Sequence, residues 1–140
     1  MISLKNTLEA IKTKLSAHDK ALSVDYIVEQ GTSGIWTYRK WNSGIAECWG
    51  QKVWSSKVAI TNTWGSIYES ASQGSISYPS NLFIEAPAVT MLGSSILDGA
   101  ILSVETNGND ADKTPQYWFT RGTSGNLVPA VSIHAIGKWK

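Results

Sequence analysis

The chain opens on a repeating apolar spacing. Leu4, Leu8, Ile11, Leu15, His18 and Leu22 follow one another at steps of 4, 3, 4, 3 and 4. This is a heptad pattern with Leu8, Leu15 and Leu22 at position a and Leu4, Ile11 and His18 at position d. No Gly or Pro interrupts it before Gly31, and the spacing predicts a helix over about residues 3–22. An apolar ribbon only a/d wide is narrower than the stripe by which a helix lies on its own domain. A helix this short is also marginal alone in water. The pattern therefore predicts an oligomeric stalk, residues 1–23, the alternative being an amphipathic helix packed on its own chain. Leu at a with Ile at d shifts preference from dimers toward trimers or tetramers. In a parallel bundle Lys14 at g would face Asp19 at e of the neighbour, a pair that serves register more than stability. Copies of His18 near the axis would share water or hydrogen bonds when neutral and repel when protonated, so acid is expected to loosen the stalk. A metal or anion on the axis is the remoter alternative to solvated histidines.

After Leu22 the period changes. Val24, Tyr26 and Val28 alternate and run into the turn cluster Gly31-Thr32-Ser33-Gly34. Residues 35–41 and 45–49 are rich in β-branched and aromatic side chains and flank Asn42-Ser43-Gly44. They predict a hairpin with a three-residue loop whose Gly44 takes the left-handed position. Further short runs fall at 52–54, 58–64, 74–78, 82–89, 101–105, 117–121 and 130–137, separated by turn residues. No helical period of useful length follows residue 22. Gly31-Thr32-Ser33-Gly34 recurs as Gly122-Thr123-Ser124-Gly125, which is better read as repeated turn chemistry than as duplication. The predicted fold is mainly β: a short N-terminal coiled-coil helix, then an antiparallel β-sandwich (jelly-roll-like) head over residues 24–140, assembled as a trimer.

Composition narrows the class. Apolar residues make up 42% and charged residues 16%, the reverse of a disordered chain. The net charge of +1 leaves no basic excess for a phosphate backbone, which argues against nucleic-acid binding. No run approaches the ~18 apolar residues of a membrane span. Lys5, Lys12 and Lys14 break the apolar run a signal peptide needs, so synthesis in the cytoplasm without general-route export is expected. A single cysteine, Cys48, excludes an internal disulfide. The unusual count is seven tryptophans in 140 residues. Such side chains fill a core, a subunit interface or a binding face.

Catalytic patterns are weak. Glu47, Glu85 and Glu105 fall in predicted strands, but nothing makes two carboxylates converge as glycoside hydrolysis requires. Glu47 shares a strand face with Ile45 and Trp49, which suits a paired charge in an interface. His18 and His134 are the only histidines, and no nucleophile elbow precedes a helix. Cys48, within a strand, reads as an inert buried thiol. Asn107-Gly108-Asn109-Asp110-Ala111-Asp112 is oxygen-rich enough for calcium but fits no complete site, and a solvated turn is the simpler reading. No zinc set and no phosphate-cradling glycine loop is present. The chain is thus expected to be no enzyme and to need no cofactor or metal. Trp64 and Tyr68 beside a Gly-Ser turn, and Tyr78 before Pro79, are the candidate ligand-binding rings, since flat apolar faces match the C–H face of a pyranose. Each could equally pack the core.

The segment Tyr38-Arg39-Lys40-Trp41-Asn42-Ser43-Gly44-Ile45-Ala46-Glu47-Cys48-Trp49-Gly50 resembles a motif of the C-terminal domains of tailed-bacteriophage tail-fibre, baseplate and other minor structural proteins. The closing Ala135-Ile136-Gly137-Lys138-Trp139-Lys140 is similar to the way those domains end, while the middle, about residues 55–115, carries no such motif. The resemblance implies a trimeric virion protein in which a helical stalk leads into a β-rich head that touches the host surface. It implies that Tyr38, Arg39, Lys40, Trp41, Glu47, Cys48 and Trp49 belong to a framework hairpin and not to a catalytic site. The expected function is attachment to a bacterial surface polysaccharide, with a homotrimer and other virion proteins as partners. Leu4, Leu8, Ile11, Leu15, His18 and Leu22 would make the oligomer contact. The alternatives are a non-binding capsid, fibre-decoration or assembly protein, and a small depolymerase with carboxylates meeting between subunits.

Overall fold

The computed structural model describes residues 4–22, 24–95 and 103–140, with side chains at 4–19, 24–95 and 106–140. The elements are α1 (Leu4–Leu22), β1 (Ile27–Ser33), β2 (Trp36–Trp41), β3 (Ile45–Val53), β4 (Val58–Trp64), β5 (Ile67–Ser70), β6 (Ala88–Ser95), β7 (Ser103–Asn107), β8 (Gln116–Arg121), β9 (Gly125–Leu127) and β10 (Pro129–Lys138). The strands form two five-stranded sheets, ordered β1-β2-β3-β10-β6 and β7-β8-β5-β4-β9. Every pairing within them is antiparallel. The fold is therefore mainly β with one N-terminal helix, as the spacing predicts.

The sheets close over one core. Trp36, Ala46 and Cys48, with Val131, Ile133 and Ala135 of β10, meet Ile60, Tyr117, Phe119 and Leu127 of the second sheet. Period-2 alternation puts those residues inside and their neighbours outside. β10 runs between β3 and β6, which explains its inward row of small and β-branched side chains. Trp54 caps Tyr117 and Phe119 edge-on, with centroids 6.3 and 5.2 Å away.

Of two expected strands, 74–78 is not a strand and 82–89 is one only at residues 88 and 89, where β6 begins. Residues 71–87 form an irregular segment, tied to β8 by the Gln73 N–H donating to Tyr117 O at 2.8 Å, to β10 by the Ile84 N–H donating to Lys138 O at 2.9 Å, and to the loop before β8 by the Ser77–Lys113 bridge. Its apolar residues Tyr78, Leu82 and Phe83 join the core cluster, which gives them a strand-like apolar run without a ladder. Tyr78 and Phe83 stack edge-on at 5.1 Å, and Trp36 lies 5.5 Å from Tyr78. The run at 52–54 belongs mostly to β3. The run at 101–105 begins at residues outside those described and continues as β7.

The β2–β3 hairpin takes the predicted loop. Gly44 has φ 96° and its N–H donates to the Trp41 carbonyl at 3.0 Å. The C-terminal segment is fastened to the same loop, since the Trp139 N–H donates to Gly44 O at 2.9 Å. The Trp139 indole N–H also donates to Trp41 O at 2.8 Å. These bonds tie the two ends of the sequence resemblance together in space.

α1 is different. No strand packs extensively on it, and Leu4, Leu8, Ile11 and Leu15 remain between 51% and 86% exposed. His18 is exposed as well, and the Leu22 side chain lies outside the described residues. Over residues 4–19 the apolar ribbon of the helix is thus left uncovered by its own chain.

Two outcomes are expected. Deleting residues 1–22 leaves the β head with its far-ultraviolet circular dichroism and a cooperative melt, because no described side chain of α1 joins the core; loss of folded structure would contradict this. Gly50→Ala costs about 1–3 kcal/mol by urea denaturation, because a Cβ there would stand 2.4 Å from the Ile35 carbonyl oxygen.

Candidate functional site: an aromatic groove on the second sheet

With inner faces occupied, binding chemistry is left to the outer faces, edges and loops. On the second sheet, β4 and β5 are joined by Gly65-Ser66, with Gly65 at φ 58°. That two-residue turn is the positive-φ kind that matches strand twist. It leaves Trp64 at the strand end, 53% exposed, and sets Glu69 in register with Asn62. On β8 the inward Tyr117 and Phe119 force Trp118 to the opposite face. Trp64, Trp118, Glu69, Thr106 and Asn107 line one groove of about 350 Å³. Asn107 also lines a neighbouring hollow of about 310 Å³, with Asn109, Asp110, Lys113 and Gln116 among its walls. Both are of a size for small ligands. Two indoles, a carboxylate, a hydroxyl and an amide offer stacking faces and hydrogen-bonding groups to a sugar ring.

The sequence-expected rings separate here. Trp64 lies in the groove. Tyr68 is half-buried and packs against the core. Tyr78 is 6% exposed, and its hydroxyl has no partner among the described residues. Burial pushes that hydroxyl's pKa up. Tyr78 is therefore a core residue, and its expected place on a binding face is corrected. Trp118 and Glu69 were not expected. Three consecutive aromatics, Tyr117-Trp118-Phe119, give no contrast by which alternation selects a face.

The loop at 107–112 is held by its own turn. Asp110 Oδ1 accepts the Asp112 N–H at 3.1 Å, and the Asn109 side-chain amide donates to Pro87 O at 2.7 Å. Among the described residues no group of His, Cys, Asp or Glu is placed to hold a metal ion.

The first sheet carries a charged, aromatic outer face. Arg39 lies over Trp41 and Trp49, 5.0 and 5.1 Å from their ring centroids. Its guanidinium pairs with Glu47, and His134 Nε2 stands 3.0 Å from the other Glu47 oxygen. Register accounts for the cluster, since Arg39 faces Glu47 across β2–β3 and His134 faces Trp49 across β3–β10. Burial raises the Glu47 carboxyl, but hydrogen bonds from His134 and Arg39, with their charges, outweigh it and hold the pKa below its ordinary value. Lys40 reaches Glu29 at 2.9 Å. That hydrogen bond lowers Glu29, against a smaller effect of burial, with Lys40's charge and Tyr38 adding to it. Burial, with the Glu47 charge beside it, pushes the Cys48 thiol up to about 12. These residues stand together on the β2–β3 hairpin and its β10 neighbour.

Among solved structures, an N-truncated R1-type pyocin tail fibre superposes with a TM-score of 0.52 at 12% sequence identity, covering 88% of this chain and 94% of that one. No protein-family model and no curated protein matches the chain. The class the structure defines is thus a tail-fibre-like β fold preceded by one helix.

Two outcomes follow from the framework. Cys48 stays unlabelled by a thiol reagent at pH 8 in the native chain and reacts on unfolding; stoichiometric native labelling would contradict its burial. A carboxyl depressed on folding contributes stability above its ordinary range and loses it as pH falls through the folded value. Denaturant midpoints should therefore fall below about pH 4. Glu47→Gln should lower stability by about 2 kcal/mol at pH 7 and flatten that acid dependence.

Proposed function

We propose that this chain is a structural component of a phage tail or phage-tail-like particle. It attaches to a bacterial surface polysaccharide through the groove of Trp64 and Trp118, in the company of other virion proteins. The observation that carries the reading is an aromatic groove on the outer face of a tail-fibre-like head. The role is read as binding without cleavage; among the described residues the groove is lined by one carboxylate, Glu69.

The uncovered ribbon of α1 supports a homotrimer. Leu4, Leu8, Ile11 and Leu15 project from a helix of 19 residues, too short to be stable alone with its apolar side in water. Winding with sister copies buries that ribbon. Three heads on one axis then bind repeated sugars with a gain of roughly 10²–10⁴ through effective concentration. The exposed pair Lys12–Glu9 at 3.2 Å lies along the helix and contributes little.

Leu15→Asp places a charge in the seam, and light scattering should give the monomer mass where the wild type gives three times that; an unchanged mass would refute the stalk. Trp64→Ala and Trp118→Ala should each weaken polysaccharide binding about tenfold in calorimetry with the unfolding temperature retained and the polysaccharide chain length unaltered. Undiminished binding by both variants would remove the groove from the function. Shortening of the polysaccharide would favour a depolymerase. Silence of the wild type on glycans with firm association to particles would favour pure assembly.

A further inference from the structure

The protein supplies its own cations to most of its indoles. Arg39 covers Trp41 and Trp49, Lys40 and Lys140 lie over Trp139, and Lys52 lies 4.7 Å from the Trp54 centroid. Trp36 is buried against Tyr78, with its N–H donated to Ser77 O at 2.7 Å. Two tryptophans are left, Trp64 and Trp118, and among the described residues no Lys or Arg lies over either. They line the same groove.

The carboxylates show the same accounting. Glu9 pairs with Lys12, Glu29 with Lys40, Glu47 with Arg39 and His134, and Glu85 with Lys138 at 3.0 Å. Glu69 is the remaining glutamate whose side chain is described, and no base among the described residues pairs with it. It stands in the groove of Trp64 and Trp118. Elsewhere the fold joins indole, carboxylate and cation, as in Trp41, Trp49, Glu47 and Arg39. Here it presents indoles and carboxylate with no cation.

We propose that the groove of Trp64, Trp118 and Glu69 binds an ammonium group, carried on an amino sugar that is not N-acetylated. This rests on the glycan-binding reading above and names the sugar class. An ammonium over indole faces gains from the ring quadrupole, and more where water is partly excluded. Its N–H groups donate to the Glu69 carboxylate in charge-assisted hydrogen bonds. Thr106 and Asn107 remain for the sugar hydroxyls. The same carboxylate disfavours uronic acids and phosphate-bearing sugars, since among the described residues no basic side chain lines the groove to offset the repulsion.

The test is calorimetric titration of the full chain with fully de-N-acetylated chitotriose, N-acetylated chitotriose, galacturonate trisaccharide and choline chloride. The ammonium-bearing trisaccharide should bind about tenfold tighter than its N-acetylated counterpart, and the uronate should not bind. In Glu69→Gln, with its unfolding temperature unchanged, the ratio of the two chitotrioses should fall to near one. Wild-type affinity for N-acetylated chitotriose equal to or above that for the amine would overturn the inference while leaving glycan attachment standing. A preference that survives Glu69→Gln would also overturn it. Binding of choline with no oligosaccharide bound would uphold the ammonium site and count against the glycan reading. Silence of all four probes would overturn the ammonium site.

Discussion

Closure of two sheets over a single core decides what every other part of this molecule can do. Once Val131, Ile133 and Ala135 of β10 meet Tyr117 and Phe119 of β8 across the sandwich, the alternate side chains of each strand must face outward. The apolar contact is non-directional and scales with the area removed from water, so it fixes sides more than it fixes chemistry. Trp118 is turned outward because its two neighbours are turned inward. The groove is thus a by-product of core packing, placed on a rigid sheet, with Trp64 brought to it by a short turn.

The outward charges follow a second rule. On the first sheet, cross-strand register brings Arg39, Glu47, Trp49 and His134 into one cluster that satisfies itself. Charges held like this cost little, and they rigidify the hairpin that anchors the C-terminal segment through Trp139. Among the described residues, the groove on the second sheet and the ribbon of α1 are two places where the chain leaves physical needs unmet within itself. One lacks a cation and the other lacks apolar cover. Attachment and assembly are read from those two deficits, while the similarity to a pyocin tail fibre supports the fold.

Much of this was legible in the residues. The heptad steps and the absence of Gly and Pro foretold α1, and Asn42-Ser43-Gly44 foretold the hairpin with its left-handed glycine. Cys48, whose strand neighbours Glu47 and Trp49 face the other way, was foreseeable as buried. The four-residue β5 and three-residue β9 were not foreseen, because so short a strand leaves no measurable alternation. Residues 74–78 and 82–87 carry strand-like apolar content for another reason, as side chains packed into the core without a ladder. Tyr78 misled for the same cause: a ring before a proline looks like a surface turn, yet it packs in the core against Trp36 and Phe83. Trp118 and Glu69 were invisible as a pair, since 49 positions of chain separate two residues that only strand order unites.

The claim at the centre is that ligand meets protein at the outer face of the second sheet. Nuclear magnetic resonance of the seven indole N–H groups, followed during addition of de-N-acetylated chitotriose to the full chain, reports on it residue by residue. The account predicts that the Trp64 and Trp118 signals move together while those of Trp36 and Trp139, fixed to carbonyl oxygens, stay in place. Movement confined to Trp41 and Trp49, with Trp64 and Trp118 unmoved, would put the binding face on the other sheet and contradict it.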